Sequence, residues 1–194
     1  MPRRPDPKLE DKILDAAQRL WRKGGEGALT MRAIAQAAKT NTPAVYRRFR
    51  DRDDILRALV QRTRLEFNAL LERAASPEEA GELYLDFALS HPHEYELFYQ
   101  HEYELFYSRS SSHKGNKPGR PGVEAMRRKL AQRFGGSPDD YVGLTVALWM
   151  LAHGAAMLLI AKTILPKDLK AARAVFTNSV RTLLQHRDEF GRRL

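Results

Sequence analysis

The chain has 194 residues, room for one large domain or two small ones and for a substantial hydrophobic core. Apolar residues make up 43% and charged residues 29%, the balance of a folded soluble protein, and the absence of cysteine excludes a disulfide framework, thiolate catalysis and cysteine-held zinc. Thirty-three Lys and Arg against twenty-four Asp and Glu leave +9, which favours polyanionic partners, and residues 1–57 hold fourteen of those cations against eight acids.

Helical periodicity runs nearly throughout and no alternating strand stands out, so an all-α fold of about nine helices is expected. The opening residues Met1-Pro2-Arg3-Arg4-Pro5 carry no secretory pattern, and a reducing cytoplasm is the expected compartment. Ile13, Leu14, Ala17, Leu20 and Trp21 form the apolar stripe of a first helix, stopped by Gly24, Gly25 and Gly27. Thr30 suits the N-cap of a short second helix with Met31, Ile34, Ala35 and Ala38 inward. After a polar turn at Lys39-Thr40-Asn41, Thr42 suits the cap of a third helix with Pro43 at its first position. Its Val45, Tyr46 and Phe49 are expected to face one way and Ala44, Arg47 and Arg48 the other. Asp51 and Asp54 form an approximate capping box for a fourth helix reaching about Ala75.

Ser76-Pro77-Glu78 starts the next helix and His91-Pro92 breaks it. There follows a tandem duplication, His93-Glu94-Tyr95-Glu96-Leu97-Phe98-Tyr99-Gln100 and then His101-Glu102-Tyr103-Glu104-Leu105-Phe106-Tyr107-Ser108, identical at seven of eight positions. Eight residues advance a helix by about 12 Å and turn it about 80° beyond two full turns. One copy is therefore expected to pack while the other extends the helix, lines a cavity or bulges. Residues 110–119, rich in Ser, Gly and Lys, read as a loop. Helices at about 123–134, 139–164 and 167–190 complete the chain. Residues 141–161 carry no charge and are long enough to span a bilayer, but the neighbouring amphipathic helix favours a buried bundle helix or a dimer seam.

Three short helices with a four-residue turn before the third describe a helix-turn-helix, in which one helix braces another that enters a DNA groove. Ala17…Leu20-Trp21…Gly24…Gly27…Thr30-Met31…Ile34-Ala35…Ala38…Val45-Tyr46…Phe49…Arg52…Ile55-Leu56 closely resembles the N-terminal signature of the TetR family of bacterial transcriptional repressors, over about residues 9–57. Trp149…His153-Gly154 is similar to the Trp–His–Gly motif of one TetR C-terminal subclass. The resemblance implies a helix-turn-helix DNA-binding domain at 1–57 and a helical ligand-sensing and dimerisation domain at 58–194. It further implies a homodimer that represses from a pseudo-palindromic operator and is released by a small apolar or aromatic effector. By position in the family pattern, Thr30 starts helix two at a phosphate; Thr42, Pro43, Ala44 and Arg47 read the groove; Tyr46 and Arg52 meet the backbone. Two departures stand out: Lys39 occupies the usual glycine of the turn, where it must avoid positive φ or bear its cost and where its charge can reach a phosphate, and Thr40 occupies an apolar position.

The family's cavity would here be lined by Phe67, Leu83, Tyr84, Phe87, Met126, Leu130, Trp149, Met150, His153 and Met157. The dimer seam is expected on the last two helices at Ala152, Ala155, Ala156, Phe176, Val180, Leu183 and Leu184. His91, His93 and His101 lack acidic or thiolate partners at metal-binding spacing, so neither metal nor cofactor is expected. No nucleophile–base pair or phosphate loop is legible, so an enzyme is not expected. The rival reading is a DNA-binding protein without a sensing function, sequence-specific or architectural.

Overall fold

The computed structural model describes residues 8–106 and 121–191, without the side chains of 100–106 and 121. Nine α-helices and no strand occur among the described residues: α1 Leu9–Gly24, α2 Met31–Ala37, α3 Thr42–Tyr46, α4 Arg52–Glu72, α5 Pro77–Ser90, α6 Pro92–Phe106, α7 Pro121–Phe134, α8 Val142–Ile160 and α9 Leu169–Gln185. Short 3₁₀ turns follow α1 at Gly25–Ala28 and precede α8 at Pro138–Tyr141 and α9 at Pro166–Asp168. The chain gathers into two compact units, one drawn from Met1–Leu65 and His91–Lys114, the other from Glu66–Ser90 and Gly115–Leu194.

In the first unit, α1 turns Ile13, Ala16, Ala17 and Trp21 inward and ends at Gly25, whose φ of +57° suits a residue without a side chain. Thr30 caps α2 as its position suggested, its hydroxyl accepting from the Ala33 N–H at 3.1 Å. The cap of α3 is Asn41 rather than Thr42: the Asn41 Oδ1 accepts from the Ala44 N–H at 2.9 Å, and Thr42 becomes the first helical residue. Both residue types cap well, so composition alone left the start of α3 uncertain by one position. At α4, Asp51 accepts from the Asp54 N–H at 2.8 Å while Asp54 reaches back to the Arg50 N–H at 3.1 Å, one residue earlier than in a regular capping box.

The first copy of the duplicated segment packs here. Tyr95, Leu97 and Phe98 are buried, and Glu94, 2% exposed, accepts from the Gln18 side-chain amide at 2.9 Å and from Arg22 at 2.8 Å. The Trp21 indole donates to the His93 carbonyl at 2.7 Å, so α6 docks on α1 through buried and part-buried polar bonds. The helical backbone runs on through Phe106, while the side chains of the second copy lie outside the described residues.

In the second unit α5, α7 and α9 pack around α8. Phe67 meets Tyr84 edge-on, ring centroids 5.1 Å apart, and Phe87 at 4.8 Å. Gly81 of α5 lies against the Phe176 ring, where a Cβ would stand 3.1 Å from two ring carbons. The stretch Pro138–Ile160 is long and apolar enough to cross a membrane. In the fold its Leu144, Thr145, Leu148, Ala152, Ala156 and Leu159 form one buried stripe against protein.

Five of the expected seam residues, Ala152, Ala156, Phe176, Val180 and Leu184, are buried inside this unit, which removes them from any surface. Only Ala155 and Leu183 are partly exposed. An apolar stripe states that a face is covered and leaves open what covers it. Met150 and Met157, expected to line a cavity, are 65% and 40% exposed. Because α8 is apolar all round, its sequence could not assign those two residues to a face.

Candidate nucleic-acid interface

The two short helices α2 and α3 are joined by a turn at residues 38–41. Thr40 donates its N–H to the Ala35 carbonyl at 2.9 Å and Lys39 to the Gln36 carbonyl at 3.1 Å, which closes the turn tightly. Lys39 adopts φ +54°, the left-handed conformation the usual glycine would take without strain. Ile34, Ala35, Val45 and Phe49 are buried and brace α3 against α2.

What remains outside is a small cationic surface. Tyr46 is 53% exposed, and Pro43, Arg47, Arg48 and Arg50 are exposed. Thr30 and Lys39 are exposed and Thr42 is half-buried. Among the described residues Lys39 and Arg47 carry no acidic partner. Ala44 does not belong to this surface: it is 4% exposed and packs inward, while Tyr46 takes an outward place. Five residues make barely more than one helical turn, so the period could not separate the two faces of α3.

Arg52, the first residue of α4, lies in an ion pair with Glu26 of the Gly25–Ala28 turn. Sequence reading did not single out Glu26, although an acid in a segment dominated by cations was a visible signal. Beside it, Asp51 and Asp54 hold their carboxyls below the usual range. For Asp51 the Asp54 backbone N–H is the main cause, and for Asp54 the Arg50 N–H, with Arg50 and Arg57 adding to both.

The residues expected to line a cavity differ in burial. Phe67, Tyr84 and Leu130 are buried, and Leu83, Phe87, Met126, Trp149 and His153 are half-buried, with the Trp149 and His153 rings 6.3 Å apart. Burial lowers the His153 pKa below its ordinary 6.5. The Thr145 hydroxyl, one turn before Trp149, is buried without a hydrogen-bond partner. A separate open cleft of about 810 Å³ is lined by Ser76, Pro77, Glu78, Lys129, Arg133 and Arg181, and none of the expected cavity residues reaches it. No cluster of three metal-ligating side chains occurs among the described residues.

Two family models match the chain. That of bacterial regulatory proteins of the tetR family matches residues 13–59, and that of the tetracyclin repressor-like C-terminal domain matches residues 78–183. No curated protein matches. A TetR-like transcriptional regulator from Rhodococcus sp. RHA1 is 23% identical, with a TM-score of 0.60 over 94% of this chain and 97% of that one. A TetR variant from Acinetobacter baumannii AYE in complex with minocycline is 18% identical, with a TM-score of 0.59 over 90% and 93%. The multidrug binding protein EbrR complexed with imidazole is 22% identical, again with 0.59, over 92% and 93%. At such identities these structures establish a shared fold.

Proposed function

The chain belongs to the TetR family of bacterial transcriptional regulators, DNA-binding proteins rather than enzymes, and from that premise we propose that it is a ligand-responsive repressor acting in the cytoplasm as a homodimer on a pseudo-palindromic operator. The observation that carries this reading is the braced α3, which keeps Ile34, Val45 and Phe49 inside and leaves Tyr46 and Arg47 outside. Arg47 reads base edges, since a guanidinium matches guanine O6 and N7. Thr30, Lys39, Thr42, Pro43, Tyr46 and Arg52 approach phosphates or the groove wall and fix register. In this reading residues 1–57 bind DNA and residues 58–194 sense and dimerise.

Dimerisation uses the outward sides of α8 and α9, where Met150, Met157, Leu158 and Val175 are exposed. Exposed apolar side chains of this size, on a helix whose other face is already packed, mark a surface completed by a second copy. The effector is small and apolar or aromatic, released-state selection following from its unequal affinity for two arrangements of the subunits. Relatives solved with minocycline and imidazole support a sensing role for this architecture.

Sequencing genomic fragments retained by the protein tests the proposal, with one inverted-repeat site expected to dominate. Arg47→Ala is expected to lower preference for that site over random DNA by about tenfold or more, a loss of 1–3 kcal/mol of base discrimination. Arg52→Ala is expected to weaken binding to every sequence alike. Uniform retention of all fragments, or equal behaviour of both variants, overturns the assignment.

A further inference from the structure

We infer that Glu26 restrains DNA binding by competing with the phosphate backbone for the Arg52 guanidinium, an inference that rests on the reading above in which Arg52 meets a phosphate. Of the cations at the interface, Lys39 and Arg47 are without an acidic partner among the described residues and Arg50 pairs with its chain neighbour Asp51, whereas Arg52 is engaged from a different element by the Glu26 carboxylate. The pair is open to solvent, Arg52 at 37% and Glu26 at 67% exposure, so a polyanion can reach it and water does not seal it.

Apart from the pair with Arg52, the Glu26 side chain makes no hydrogen bond or ion pair among the described residues. The turn Gly25–Ala28 is held through its backbone: the Glu26 carbonyl accepts from the Leu29 N–H at 3.1 Å, and Leu29 is fully buried. Glu26 is one of eight acids against fourteen cations in residues 1–57, and it lies in the turn that precedes α2 in the chain. When DNA binds, two penalties arise. Arg52 must give up its carboxylate, and that carboxylate is left facing the phosphate chain with its charge uncompensated.

The consequence falls on one component of affinity. Phosphate contacts are the same on every sequence, so the restraint lowers binding to bulk DNA and operator alike and leaves base reading by Arg47 untouched. A protein of +9 gains from this, because non-specific sites outnumber the operator and cationic surface alone would hold it on them.

The test is titration of the full chain with a mixed-sequence duplex of about 30 base pairs, long enough for two half-sites one helical turn apart. Wild type, Glu26→Gln, Arg52→Ala and the double variant are compared at several salt concentrations. Glu26→Gln is expected to bind about three- to tenfold more tightly at low salt, with the excess shrinking as salt rises, because the acid left facing the phosphate chain is gone. In the Arg52→Ala background most of that gain disappears. Melting temperatures stay level, because exposed ion pairs contribute little to stability.

A Glu26→Gln protein that binds no more tightly than wild type overturns the inference, as does a gain undiminished by Arg52→Ala, which would make Glu26 a general repulsive charge. Failure of the wild type to bind any duplex removes the functional reading itself, and that result is visible before a variant is compared.

Discussion

Lys39 sets backbone against charge. Its φ of +54° carries a steric cost that glycine avoids, while its ammonium adds to the cationic surface. Lys39→Gly is therefore expected to raise stability by about 1 kcal/mol in urea melts and, in the same protein, to weaken binding to duplex DNA. His153 answers to pH in a defined direction. Burial depresses its folded pKa below 6.5, so its neutral form belongs to the fold. Its contribution is complete above 6.5 and is lost as pH falls through the folded value. His153→Gln should flatten the fall in stability between pH 7 and pH 5; an unchanged pH dependence would dissociate His153 from it. At this scale the sequence was informative wherever chemistry is local. Thr30 caps because an oxygen three residues before an N–H suits a helix start. Ala44 was misplaced because methyl groups fit either face of a five-residue helix.

Among the elements, the docking of α6 on α1 shows what periodicity cannot supply. A glutamate in a sequence reads as solvent-facing, yet Glu94 is 2% exposed and shared between Gln18 and Arg22. Glu94→Ala would remove the buried carboxylate to which the Gln18 amide donates and should cost about 2 kcal/mol, read from the urea midpoint. Glu94→Gln, which keeps an oxygen for Gln18, should cost less. If both cost the same, the carboxylate–amide bond is not what holds α6. Helix existence was legible along most of the chain, since α1, α4, α7 and α9 carry stripes or breakers at their ends. The faces of α8 were not, because a helix apolar on every side has no pattern to orient it. Phe176, Val180 and Leu184 show the same limit: four-residue spacing announced a covered face, and the covering turned out to come from the chain's own unit.

For the molecule as a whole, Met150, Met157, Leu158 and Val175 remain uncovered after each unit has packed. Met150→Glu places a charge in the proposed seam. Sedimentation should show the dimer weakened by at least about a hundredfold, since an unpaired buried charge costs several kcal/mol, with helical content unchanged. Equal sedimentation of variant and parent would move the seam elsewhere. The family signature was readable over the first third of the chain because groove recognition demands particular residues at particular spacings. The C-terminal part offered only hydrophobicity, which many packings satisfy. The left-handed turn at Lys39 has a kinetic corollary. Its awkward geometry is already fixed by hydrogen bonds to Ala35 and Gln36, so encounter with a duplex involves no slow ordering of that corner. Stopped-flow mixing should then resolve one association phase whose rate falls steeply as ionic strength rises, the behaviour of a rigid cationic key drawn in by long-range attraction.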